Sequence, residues 1–275
     1  MRMFASQCLL AVAFLSAPAF AATPSACDLD SGYRQMYNLD FPGAHQTFLH
    51  CESERQGDPL PHVSNAAAYL FSEFDRLHIL EVELFTDDSR FDSRNKPKPD
   101  IAVRDAFLSE IGQVESLTQP ILTRNPNDRD ALLAQVLANG LRSDYAAMIE
   151  KRNIASLGYM KTSRKLAQHL IELDPSCYDA YLAVGIENYL LGVTPAPVRW
   201  FLHIGGAETD KDAGEARLRL TAAHGRYLAP FARLLLAVAA LRDNDRTTAR
   251  SLLAGLSREF PNNQLYGREL ARIPQ

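Results

Sequence analysis

Basic clusters are missing from this chain. Its 275 residues carry 29 Lys and Arg against 33 Asp and Glu, a formal charge of −4. Gripping a phosphate backbone takes clustered cations, so nucleic acid is not an expected partner. Long apolar runs are missing too: Leu9–Leu15 and Leu234–Leu241 are both too short to cross a bilayer. Period-two runs of valine or threonine, the mark of half-buried strands, do not occur. The chain has no GxSxG, no HExxH, no CxxC and no glycine-rich phosphate loop. His45 and His50 stand about 140° apart around a helix and cannot share a zinc ion there. The acids Glu73, Asp75, Glu81, Glu83, Asp87 and Asp88 lack the spaced ligands and the glycine of a calcium loop. They read as a solvated face. Catalysis, a metal site and a cofactor are thus without a sequence signal, and none is expected.

Only four cysteines are present, and the N-terminus gives them a compartment. Arg2 precedes the apolar stretch Leu9–Leu15, and Ala19-Phe20-Ala21 has the small-x-small form of a cleavage site. Residues 1–21 read as a signal peptide, leaving residues 22–275 as a single periplasmic or secreted domain with no stable membrane insertion. Cys8 precedes the apolar core, whereas a lipidated cysteine would follow it. Of the remaining three, Cys27 and Cys51 are the expected disulfide, because a helix-turn-helix between them brings their ends together. Two buried reduced thiols are the other reading. Cys177 reads as a small packing residue.

Helical periodicity fills most of what is there. Met160, Ser163, Ala167, Leu170 and Ile171 share one helix face, and so do Ala249, Leu252, Leu253, Leu256 and Phe260. Val114, Leu117 and Ile121 form a weaker stripe. Pro126, Pro175 and Pro261 end these three helices, since proline cannot continue the turn it enters. The residues after each proline, Asn127-Asp128, Ser176 and Asn262-Asn263, can accept hydrogen bonds from the N–H groups opening the next helix. Around Pro175 one helix therefore stops and another begins at once, and Ala183 and Gly185 leave room for a close neighbour.

These junctions resemble the tetratricopeptide repeat, a helix-turn-helix unit of about 34 residues with small, aromatic and proline positions at fixed offsets. With Pro261 as position 32, Ala237 falls at 8, Ala249 at 20, Leu253 at 24 and Leu256 at 27. A unit begun at Tyr178 puts Tyr181 at 4 and Gly185 at 8. Tyr37-Asn38-Leu39-Asp40-Phe41 with Ala44 and Phe48 is similar to the turn and second helix of another. The prolines lie 49 and 86 residues apart, so the spacing is degenerate. The resemblance implies an all-α, tetratricopeptide-like α-solenoid of stacked antiparallel helix pairs, with longer helices than usual. Family members that clamp a peptide carboxylate use Lys, Asn and Arg at positions 5 and 9. Leu133, Leu137, Leu182, Ile186, Leu234 and Val238 stand there, all apolar. Further helices cover this face, or it lines a groove for an apolar ligand or an amphipathic helix.

Two stretches interrupt the helices. Residues 86–100 are charged, contain two prolines and read as a surface loop. Residues 192–212 hold Pro195, Pro197 and Gly205-Gly206 and read as an irregular insertion ending in a helix near Asp212. The single tryptophan, Trp200, sits there beside Arg199 and His203, with Tyr189 closing the helix before it. These four residues are the candidate anchors for a partner, since aromatic and arginine side chains concentrate binding energy; Trp200 as a packing plug is the alternative. The functional expectation is a protein-interaction or assembly module, not an enzyme, taking another protein or peptide. A helical carrier enclosing a lipid or other apolar small molecule is the second reading.

Overall fold

The computed structural model describes residues 27–79, 98–193 and 211–274. The signal segment 1–21, most of the 86–100 loop, and Arg199, Trp200 and His203 lie outside them. Among the described residues the chain is helical throughout, with eleven α-helices, one π turn and no strand.

Aspartate starts most of these helices. Helix α1 (Leu29–Tyr37), α2 (Phe41–Glu54) and α3 (Pro59–Arg76) open on Asp28, Asp40 and Asp58, whose carboxylates accept N–H groups of the first turn. Asp100 and Asp128 do the same for α4 (Ile101–Arg124) and α5 (Arg129–Asp144). Each such cap is worth about 1 kcal/mol. A π turn, Tyr145–Ile149, closes α5, and α6 (Asn153–Leu173) follows. Then come α7 (Ala180–Val193), α8 (Lys211–His224), α9 (Ala229–Arg242), α10 (Arg246–Glu259) and α11 (Gln264–Arg272). Asp245 and Asn263 cap the last two. Pro126, Pro175 and Pro261 fall between α4 and α5, α6 and α7, and α10 and α11, as their context predicts.

Each helix packs on the next, and α1, α3, α5 and α7 also touch one another in series. These four form an inner row, with α2, α4 and α6 laid over it. The length expectation holds: α3, α4 and α6 have 18, 24 and 21 residues, more than a 34-residue pair allows. Five of the six apolar positions singled out above, Leu133, Leu137, Leu182, Leu234 and Val238, are buried, and Ile186 is half-buried. Neighbouring helices therefore cover that face.

Between α7 and α8 the backbones approach closely. A methyl group on Gly185 would stand 3.0 Å from the Gly214 carbonyl oxygen, and one on Gly214 would stand 2.6 Å from the Tyr189 nitrogen. Hydrogen in place of a side chain is what permits this contact.

The first and last described helices meet. Tyr37 on α1 donates its hydroxyl to the Tyr227 carbonyl (3.0 Å), and Asn263 Nδ2 donates to the Tyr37 carbonyl (2.9 Å). Tyr33 stacks on Tyr227 at 4.7 Å, Phe71 meets Phe231 edge-on, and Arg226 pairs with Asp30 at 2.8 Å. The aromatic seam between α1–α3 and α9–α11 surrounds a recess bordered by Met36, Phe71, Phe231, Leu234 and Tyr266, with room of about 20 Å³. That is the space of one water molecule.

Cys27 and Cys51 form the expected disulfide across a separation of 24 residues, tying the start of α1 to α2. One acid departs from expectation. Glu73 is buried rather than solvated: it pairs with Arg76 (2.6 Å) and accepts the Asp100 N–H (2.8 Å). It thereby fixes the point where the chain re-enters the helices at α4.

Candidate functional site

Helices α2, α3 and α4 build a polar cluster on the side of the inner row away from the aromatic seam. The floor is α3, where His62, Asn65 and Tyr69 recur at three- and four-residue steps on one face. Helix α2 contributes His45 and Glu52, seven apart and two turns along the same flank. Helix α4 contributes Glu110, next to the buried Ile111 that anchors it to the core. Apolar burial of Ala44, Phe48 and Cys51 from α2, and of Phe107, Ile111 and Val114 from α4, sets these flanks against α3.

The geometry is tight. His62 Nδ1 lies 2.7 Å from Glu110 Oε2 and 3.7 Å from Glu52 Oε1. Asn65 Nδ2 donates to both carboxylates, at 3.0 Å to Glu52 Oε1 and 3.1 Å to Glu110 Oε1. Since the Asn65 amide nitrogen is spent on the acids, its Oδ1 must accept, and His45 Nδ1–H is the donor at 2.6 Å. Tyr69 covers the His45 ring at 4.0 Å between centroids. Asn65 is fully buried, while the side chains of His62, Glu52 and Glu110 retain 19, 14 and 14% exposure. The triad is thus desolvated yet reachable from solvent.

Electrostatics follow from this placement. The hydrogen bond to Glu110 raises the His62 pKa, opposed by burial and helped by the charges of Glu52, Glu110 and Asp58. Burial raises Glu52, and the neighbouring Glu110 carboxylate adds to it. Tyr69 is pushed up by burial and then by the same two acids. Among the described residues neither carboxylate pairs with a lysine or arginine. Two acids share one imidazole, so the cluster keeps a negative charge even when His62 is protonated. The donor set offers one ring nitrogen and two carboxylate oxygens, all within 4.8 Å of one another.

Sequence reasoning passed over this cluster. Residues 52, 62 and 110 follow no ligand spacing, and of the two α2 histidines considered there, His45 serves through Asn65 instead of binding the acids directly. The only local signal is the shared α3 face of His62, Asn65 and Tyr69.

Of the four candidate anchors only Tyr189 is described; it is buried at the α7–α8 contact. Beside it Glu187 and Arg164 pair across α7 and α6, with Arg164 Nε 3.3 Å from Glu187 Oε2. Burial raises the Glu187 pKa, and the charges of Arg164 and Lys161 lower it in part. Cys177 is half-buried and its thiol is pushed up to about 11, mainly by burial, away from the lowered values of a nucleophilic thiol.

No described helix is long and apolar enough to cross a membrane. Comparison with protein-family models, curated proteins and solved structures returns no match.

Proposed function

We propose that the chain is an exported, tetratricopeptide-like α-solenoid that acts as a binding module for another protein in a bacterial periplasm. Support for the architecture comes from the proline junctions and from the inner row α1, α3, α5 and α7 overlaid by α2, α4 and α6. The disulfide suits an oxidising compartment.

The observation that carries the function is the polar cluster over α3. The Tyr69–His45 stack adjoins it, and Leu49, on the same flank of α2 as His45 and Glu52, stands 48% exposed. Aromatic and charged groups held rigid by packed helices are what concentrate affinity in protein interfaces. A site presented on helices loses little entropy when a partner docks. The carrier reading draws less support: the inner apolar positions are consumed by packing, and the seam recess has the room of a single water.

A photo-crosslinking residue at Leu49, expressed in the exported protein, tests the proposal. It should give a discrete protein adduct, while the same residue at the exposed Lys165 on α6 should not. Equal adducts from both positions would refute a specific docking site. A small extra mass on the chain in native mass spectrometry, with no protein adduct, would favour the carrier.

A further inference from the structure

We infer that Glu52, His62 and Glu110 form a binding site for one divalent transition-metal ion of the zinc type. This goes beyond the binding-module reading and needs no protein partner.

Three observations converge. The donors come from three helices and already stand within 4.8 Å of one another, so no chain rearrangement is needed to bring them together. Ligands in a tetrahedral zinc site lie about 2.0–2.2 Å from the ion and hence roughly 3.4 Å apart. The observed separations from His62 Nδ1, 2.7 and 3.7 Å, bracket that value. The second observation is charge. Two half-buried carboxylates with no lysine or arginine partner among the described residues leave a negative balance in a desolvated place, and a dication neutralises it at the point where the acids converge. Third, the ligands are held from behind. Asn65, itself fully buried, fastens both carboxylates, and His45 fixes Asn65 in the orientation that makes this possible. Metal sites depend on such outer hydrogen bonds to aim their ligands.

The donor chemistry selects the ion class. An imidazole nitrogen with two carboxylates suits zinc, manganese, cobalt or nickel, whereas calcium and magnesium favour all-oxygen shells. In the metal-free cluster the His62 Nδ1 proton is hydrogen-bonded to Glu110. Binding displaces that proton to solvent, and Nδ1 becomes a ligand. Three protein donors leave a fourth position for water or an exogenous group.

The test is a titration of the chelator-stripped, disulfide-intact protein with zinc alone, read by competition with a chromogenic chelator. One zinc per chain is expected, with affinity falling roughly tenfold or more in Glu110→Gln and in His62→Gln. Less than one site per chain overturns the inference, as does a Glu52→Gln/Glu110→Gln double variant that binds as wild type does. Because these changes also loosen α2–α3–α4 packing, a second measurement keeps the chain unaltered. In histidine nitrogen NMR spectra the first equivalent of zinc should move His62 Nδ1 from its protonated to its metal-bound position. A first-equivalent shift at another histidine, with His62 unmoved, refutes the site. Leu49 crosslinking is read in the unaltered chain alongside: adducts without zinc binding would leave only the binding-module reading standing, and zinc binding without adducts would leave only this one.

Discussion

Asp179 shows how much one residue can hold. It sits at the head of α7, 5% exposed, and its carboxylate accepts the N–H groups of Arg226, Tyr227 and Leu228 (3.1, 3.2 and 2.9 Å). Those groups lie in the turn that leads into α9, whose N-cap is Leu228. Replacing Asp179 by Ala leaves buried donors unpaired, at a cost of about 3 kcal/mol in urea unfolding. Asp144 presents the opposite case. It lies beside the π turn, and burial pushes its pKa up to about 7. The folded state therefore holds a proton that the unfolded chain releases near the ordinary carboxylate value. Between about pH 4 and 7 this makes stability fall as pH rises, and the loss is complete once Asp144 ionises in the fold. Asp144→Asn should leave the urea midpoint nearly unchanged at about pH 3.5, raise it modestly at pH 5 and raise it most at pH 8. A larger gain at pH 5 would contradict the assignment.

Among the elements, the α7–α8 pair is the most sharply constrained. Gly185 and Gly214 face each other, but their surroundings differ. Beyond the Gly214 carbonyl, the nearest group to Gly185 is the movable end of Leu218, whereas Gly214 faces Tyr189 backbone at 2.6 Å. Backbone cannot step aside as a leucine can. Gly214→Ala should thus destabilise by about 1–3 kcal/mol through overpacking, and by more than Gly185→Ala. Thermal unfolding of the two variants side by side checks the order. Both glycines are visible in the sequence, yet only Gly185 stands at a repeat position that marks it for close contact. Gly214 becomes special because α8 lies across α7. The proline junctions were legible for a simpler reason: a residue without an N–H ends its helix whatever surrounds it. Glu73 was misread because its burial depends on where the chain returns at Asp100, 27 positions later.

For the whole molecule, the contact between the chain's ends departs from a one-dimensional array. In an open solenoid each unit touches only its neighbours, and stability spreads stepwise. Here Tyr37 is hydrogen-bonded to Asn263, 226 positions away, and packs on Phe260 at 5.6 Å. Deleting residues 260–275 should therefore raise hydrogen exchange in α1 as well as in α10. Protection of α1 that survives the deletion would show the ends to be independent. The same closure explains why α1 buries Leu29, Tyr33, Met36 and Tyr37 on so short a helix. Tyr33 meets both Phe48 and Tyr227, and Tyr37 meets both Phe71 and Phe260.

Local chemistry decided what the sequence could determine alone. Periodicity, proline and capping aspartates act within a few residues, so the helices and most of their junctions follow from the order of the chain. The Cys27–Cys51 bridge was legible for the same reason, since one short helix-turn-helix separates the pair. Tertiary structure decided the rest. Glu52, His62 and Glu110 have no common spacing and become a site only because apolar burial turns α2 and α4 toward one face of α3. Closure of the ends was equally invisible. Tyr37, Tyr227 and Asn263 read as ordinary helix and turn residues until packing sets them against one another.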